Sequence, residues 1–304
     1  MVDFVDIEAP FSYEIPSESY EPFYWKELCF TPKFKKGFLN GFESEFKGLK
    51  IILYEDKIRI TNSLHKFYKG NNHSDFTFSE LTDSINIITK YFETEASQFV
   101  IRKLEYGFNI TTHKPAKEYL NLFAEYHNRE FEKMKHKHIF YGRKCVMSEY
   151  ALKVYDKFQQ VKIMNNVLIP ENTLRVEFCY NQKRKLPKTI RTLSDLADNN
   201  KIRDLYKNLK DSFSKVTFSE EVDFSSMSDE DRMLFYASLH PDFIKVEEKL
   251  NKSNAKIIKS KIRQLKEKYL SNKFKKTFIN LLEKQVYRAL LLINYQTCNI
   301  VGRL

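Results

Sequence analysis

Four side chains in this sequence have types and spacings suited to work on a phosphodiester: Tyr155, Lys157, Glu105 and Glu177. Two carboxylates can hold a hard divalent ion through oxygen ligands, and such an ion can polarise a phosphodiester. A phenol flanked by cations can lose its proton and attack phosphorus. Oxygen ligands select Mg²⁺ or Mn²⁺. Lys153, Lys157 and Arg175 are expected to lower the phenol's pKa from about 10 and to neutralise charge developing on phosphorus.

This chemistry needs elements that bring the residues to one surface. Phe99–Asn109 is too β-branched and aromatic for a helix and reads as a strand, as do Tyr150–Lys157 and Thr173–Tyr180. Side chains alternate across a strand, so each strand sorts into two faces. Lys103, Glu105, Gly107 and Asn109 share one face; so do Lys153, Tyr155 and Lys157, and so do Thr173, Arg175 and Glu177. Tyr150, Leu152 and Val154 take the opposite, apolar side, with Tyr150 expected to be buried. The bland alternative is a half-exposed sheet with ordinary solvent-facing charges.

Other elements follow from the same signals. Leu49–Tyr54 and Lys57–Thr61 read as a hairpin turning at Glu55-Asp56. Phe78, Leu81, Ile85, Ile88 and Phe92 recur at helical spacing behind the hydroxyls of Thr77 and Ser79, which suit an N-cap. Pro115 is expected to open a helix through Tyr119, Leu120 and Phe123. Residues 1–46 read as a partly extended arm along the fold's edge, and Lys133–Lys144 as a basic connecting stretch. Leu193, Leu196, Ile202, Leu205 and Leu209 form a helical stripe, with a break at Pro241; Ile258, Ile262, Leu265 and Tyr269 form another. The expectation is an α+β fold: an antiparallel sheet with helices on one face at residues 1–188, then a basic helical region at 189–304.

The net charge of +11 is confined to the C-terminal end: residues 251–304 hold 13 lysines and arginines against two glutamates. Such a local excess points to a polyanion, because lysines along a helix displace counterions from phosphates. Lys259, Lys266 and Lys273 are expected to touch it; a solvated helix face is the alternative. Cys29, Cys145, Cys179 and Cys298 lack C-x-x-C spacing and read as small packing residues. No apolar run is long enough for a membrane span, and Met1–Pro10 does not read as a secretory signal, so a cytoplasmic setting is expected.

The segments Ser63–Asn72, Arg102–Asn109, Val154-Tyr155-Asp156-Lys157 and Leu174-Arg175-Val176-Glu177 resemble, in order, blocks of the phage and plasmid replication initiators of the filamentous-phage gene II type. The resemblance spans about residues 49–181 and implies rolling-circle initiation: nicking one strand at an origin, with a covalent phosphotyrosine on the 5′ side. It implies Tyr155 as nucleophile, Lys157 as adjacent cation, and Glu105 and Glu177 as metal ligands. His65 in the first block is a further candidate for a metal or phosphate contact. Lys66, Lys69, Lys153 and Arg175 are the expected DNA contacts near the nick, where the DNA is single-stranded. A bacterial or phage-infected cell and a host helicase as partner are implied too. Some family members carry Asp where this chain has Glu105, and the His-hydrophobic-His motif of related nickases is missing. His136-Lys137-His138 has its spacing but a lysine in the middle, and reads as surface. The rival expectation is a non-catalytic DNA-binding or regulatory protein on the same scaffold.

Overall fold

The computed structural model describes residues 2–11, 21–165, 167–219, 224–238, 242–269 and 273–301. The expected α+β fold is present, with a large antiparallel sheet, helices, and a helical C-terminal region. Up to residue 180 the strands are β1 (Val2–Pro10), β2 (Phe23–Trp25), β3 (Leu28–Lys35), β4 (Phe38–Phe46), β5 (Leu49–Leu53), β6 (Lys57–Ser63), β7 (Val100–Thr111), β8 (Phe123–Tyr126), β9 (Arg129–Glu130), β10 (Glu132–His136), β11 (Ile139–Val146), β12 (Tyr150–Asp156) and β13 (Thr173–Tyr180). All of these but β8 and β9 form one sheet in the order β10-β11-β12-β13-β7-β1-β6-β5-β4-β3-β2. The β5–β6 hairpin and β13 fall where the sequence pattern puts them.

Residues 2–10 correct the expectation of an edge arm. β1 pairs with β6 on one side and β7 on the other, joining the two halves of the sheet. Val2, Val5, Ile7 and Ala9 are buried, but Asp3 and Asp6 are buried too, and these acids mask the apolar alternation. Asp6 is held bidentately by Arg59, Nε to Oδ1 at 2.7 Å and Nη2 to Oδ2 at 2.6 Å. Asp3 accepts from the Ser63 hydroxyl. The basic stretch 133–144 is also a correction, because it folds as the β10–β11 hairpin. Lys137 and His138 take positive φ at its turn, and its residues, exposed or half-buried apart from Gly142 and Cys145, leave no apolar period to read.

Helix α1 (Leu64–Lys69) follows β6 directly, capped by the Ser63 side chain and ended by Gly70 in the left-handed region. α2 (Phe78–Phe92) starts at the expected Thr77, where Thr77 and Glu80 form a capping box. α3 (Ala116–Leu120) is shorter than expected: Pro115 is its N-cap, and Phe123 already belongs to β8. α4 (Lys157–Asn165) begins at Lys157, so that residue opens a helix instead of ending β12. In the Leu193–Leu209 stripe, a 3-10 turn at Leu193–Ala197 precedes α5 (Asn199–Ser214), capped by Asp198. α5 lies on the apolar side of the sheet, where Asn208 donates to the Tyr180 hydroxyl at 2.6 Å and Tyr206 packs on Phe108. The break expected at Pro241 lies outside the described residues.

The chain divides into two compact units, Met1–Val216 with Ile279–Leu304, and Thr217–Phe278. The expected line was at residue 188. The second unit holds α6 (Asp229–Ser238), α7 (Phe243–Leu250) and α8 (Lys252–Tyr269), and a small core of Met227, Phe235, Leu265 and Tyr269 joins α6 to α8. α9 (Lys273–Val301) contributes to both units. Among the cysteines, Cys145 and Cys179 are buried as expected, whereas Cys29 is exposed. No described helix is long and apolar enough to cross a membrane.

Candidate functional site

Strand register places the predicted residues on one face. The β12–β13 ladder sets Lys153 opposite Glu177 and Tyr155 opposite Arg175. The β13–β7 ladder sets Arg175 opposite Asn109, Glu177 opposite Gly107 and Cys179 opposite Glu105. Two glycines make room for this packing. A Cβ on Gly107 would collide with the Val176 carbonyl oxygen, and one on Gly142 in β11 would collide with the Tyr155 Cβ.

Tyr155 is 3% exposed, and its hydroxyl donates to Glu177 Oε1 at 2.7 Å. Its ring meets Tyr141 edge-on at 6.2 Å, and Lys157 Nζ lies 5.7 Å from its centroid. The expected lowering of the phenol's pKa is a further correction. Burial, then the Glu177 carboxylate, push it well above its ordinary value, and Arg175 opposes this only in part. Tyr150 is half-buried, not fully buried, and stacks on Phe178 on the opposite, apolar side.

The cations around Tyr155 are occupied internally. Arg175, 2% exposed, donates from Nε to Glu177 Oε1 at 3.1 Å, from Nη1 to Asn109 Oδ1 at 3.3 Å and from Nη2 to Asp3 Oδ2 at 3.4 Å. Lys153 Nζ donates to both Glu105 oxygens at 3.0 and 2.9 Å and lies 3.8 Å from Glu177 Oε2. Burial disfavours its charge, but Cys179, Glu177 and Glu105 outweigh that and raise its pKa. Both residues were expected to contact DNA; in this structure both are bound to carboxylates of the sheet. Lys157 is fully buried, with Nζ donating to Asn72 Oδ1 at 3.2 Å and Gln160 Oε1 at 2.9 Å. Burial, then repulsion from Arg175, bring its pKa down to about 8.

Three carboxylates (Asp3, Glu105, Glu177) thus meet three cations (Lys153, Lys157, Arg175) on this face. Among the described residues, Glu105, Glu177 and Cys179 could hold a metal ion, their donor atoms lying within 4.8 Å of one another. Two carboxylates fit a divalent cation, but Lys153 now supplies the positive charge between them and would have to move. Burial raises the pKa of Glu105, with Lys153 opposing, and burial holds the Cys179 thiol well above its usual value.

His65 is not brought to that group. It is buried, stacked on Phe76 at 4.8 Å, with Nε2 3.2 Å from Ser74 Oγ. Burial, followed by Arg175, Lys69 and Lys157, lowers its pKa to about 3, so it is neutral at neutral pH. Lys66 is exposed, and Lys69 pairs with Glu80 at 2.7 Å. In the second unit Lys259 pairs with Glu248. Lys266 is half-buried on α8, and Lys273 is exposed at the start of α9. His136 and His138 belong to the β10–β11 hairpin, the latter at its turn, apart from the network.

Sequence reasoning missed Asp3 and Cys179. Strand parity was enough to find Cys179, two residues beyond Glu177, but Asp3 sits at a break in the β1–β7 register between Val2 and Phe4 that parity does not reveal. Compared with known proteins, the chain matches no family model and no curated relative.

Proposed function

We propose that the chain initiates DNA replication by nicking and rejoining one strand at an origin, a rolling-circle reaction through a phosphotyrosine on Tyr155. The observation that carries the reading is the 2.7 Å hydrogen bond from the Tyr155 hydroxyl to Glu177, within a face where cations and carboxylates converge. A phenol donating to a carboxylate has its proton acceptor in place: Glu177 takes the proton as the phenol oxygen attacks phosphorus, and the same proton passes to the leaving 3′ oxygen as its bond to phosphorus breaks. Arg175 and Lys157 offset charge on the phosphate. Glu105 and Glu177, with Lys153 displaced, would hold a Mg²⁺ or Mn²⁺ ion, whose contribution is to polarise the phosphodiester. Rejoining is the reverse transfer.

The burial of Tyr155 favours a second reading, in which the same scaffold binds DNA without cutting it. Both readings take DNA as partner on the strength of the C-terminal charge. The deciding experiment incubates the protein with Mn²⁺ and single-stranded origin oligonucleotides. The nicking reading expects the 5′ side of the nick to migrate with protein on a denaturing gel, and Tyr155→Phe to lose that adduct while keeping DNA affinity. An adduct that survives Tyr155→Phe moves the nucleophile elsewhere. DNA affinity with no adduct in either protein leaves the binding reading.

A further inference from the structure

Strand β7 runs past the start of β1: β1 pairs with residues up to Tyr106, and Gly107–Thr111 continue beyond it. A solvent-open cleft of about 650 Å³ lies by this edge. Its aromatic lining is Phe76, Phe78, Phe108 and Tyr206, and its polar lining includes Asn109, Arg175 and Arg288. Gln285, Arg288 and Ala289 reach it from α9 at positions i, i+3 and i+4, a single helix face.

Two polar groups there have no protein partner. Arg288 is exposed and makes no hydrogen bond or ion pair with the described residues. Tyr206 is 3% exposed, yet its hydroxyl makes no hydrogen bond with the described residues either. The Tyr206 ring is buried while its hydroxyl is free to donate to, or accept from, a polar group that enters the cleft. Arg175 lies at the cleft with its charge shared among Glu177, Asn109 and Asp3. Asp75 is the single acidic lining residue, against two arginines.

From this geometry we infer that the cleft binds a nucleoside phosphate: the half-buried ring of Phe78 takes the base, Arg288 takes the phosphate, and the Tyr206 hydroxyl meets a polar edge of the ligand. Flat apolar walls with a few converging polar groups suit a planar ring, and a guanidinium suits phosphate because its paired N–H groups match two oxygens. The ligand is either a free mononucleotide or a nucleotide within a single strand. The second source rests on the nucleic-acid reading above, whereas the first does not.

The test is calorimetric titration of the full chain with dAMP, inorganic phosphate, and a short single-stranded oligonucleotide. Arg288→Glu should weaken dAMP binding by about tenfold or more, since a charge-assisted hydrogen bond to phosphate is replaced by repulsion. Lys90→Glu, at the far end of α2, makes the same charge change away from the cleft and should leave affinity unchanged. Tyr206→Phe should weaken binding with its melting curve preserved. If only the oligonucleotide binds, and Arg288→Glu weakens it, the nucleotide is strand-borne. Inorganic phosphate binding as tightly as dAMP would overturn the base-binding assignment. Equal affinity of wild type and Arg288→Glu for every probe that binds, or no binding of any probe, would overturn the site. None of these measurements involves cleavage, so an inactive Tyr155 would leave the result intact.

Discussion

The β7–β12–β13 face and the C-terminal helices handle charge in opposite ways. On the sheet, Asp3, Glu105 and Glu177 are paired with Lys153 and Arg175, and Arg175 and Glu177 are almost fully buried. In residues 251–304, 13 basic residues stand against two acidic ones, and Lys256, Lys259 and Lys261 are exposed on α8. Matched, buried charge specifies geometry, because a misplaced partner leaves an ion stranded away from water. An exposed excess of one sign specifies a field, which acts on whatever polyanion comes near. Net charge therefore reports the second region and says nothing of the first.

The contrast breaks most sharply at Arg175. Arg175→Met leaves Asp3 without its cation and Glu177 with only the more distant Lys153, and should cost about 3–5 kcal/mol in urea unfolding. A loss under about 1 kcal/mol would mean the network is not held as a unit. Tyr155→Phe is gentler: it removes one donor to a carboxylate and should cost about 1.5–3 kcal/mol by the same measurement.

A pH series sharpens the comparison. His65 is protonated near 6.5 in the unfolded chain but only near 3 in the folded one. Between those values the unfolded state binds more protons, so His65's contribution to stability is fully present above 6.5 and is lost as pH falls toward 3. Wild type should therefore lose stability over this window more steeply than His65→Asn; parallel urea midpoints would contradict the burial of a neutral imidazole.

The smallest effect on folding belongs to the surface. Reversing Lys259, Lys266 and Lys273 to glutamate should shift unfolding by no more than about 1 kcal/mol. The slope of log DNA affinity against log salt should nevertheless flatten, by close to one unit for each phosphate that the variant no longer neutralises. An unchanged slope would assign the basic helices a different task.

The shared face was legible because strand side chains alternate with a period of two: that rule alone grouped Glu105, Tyr155, Arg175 and Glu177 before any pairing was known. Their burial was not legible. Alternation gives which residues lie together and not what covers them, and the cover comes partly from Asn72 and His73, in a loop without apolar period. The same gap explains the reversed expectation for the phenol: lysines near a solvated tyrosine lower its pKa, whereas here Glu177 is its bonded neighbour and burial dominates. Strand β1 was hidden for a related reason, since its buried aspartates look like surface residues until Arg59 and Arg175 are found beside them. Helix α2 was read correctly because its apolar spacing and its capping residue are local signals, whereas for α5 the apolar stripe found the helix but not the Asp198 cap that separates it from the preceding 3-10 turn.

The central place of β1 also bears on the order in which the molecule assembles. This strand precedes both of its neighbours in the chain: β6 is complete at residue 63, and β7 at residue 111. During synthesis it waits for both, and the two halves of the sheet have no shared ladder until it docks. Pairings so distant in sequence must close large loops before any ladder bond rewards them, which slows folding. Amides of β1 should thus gain protection from hydrogen exchange late in refolding, together on both sides, while the local β5–β6 hairpin is protected early. Protection of β1 ahead of that hairpin would show that the centre of the sheet, and not its local hairpins, organises folding.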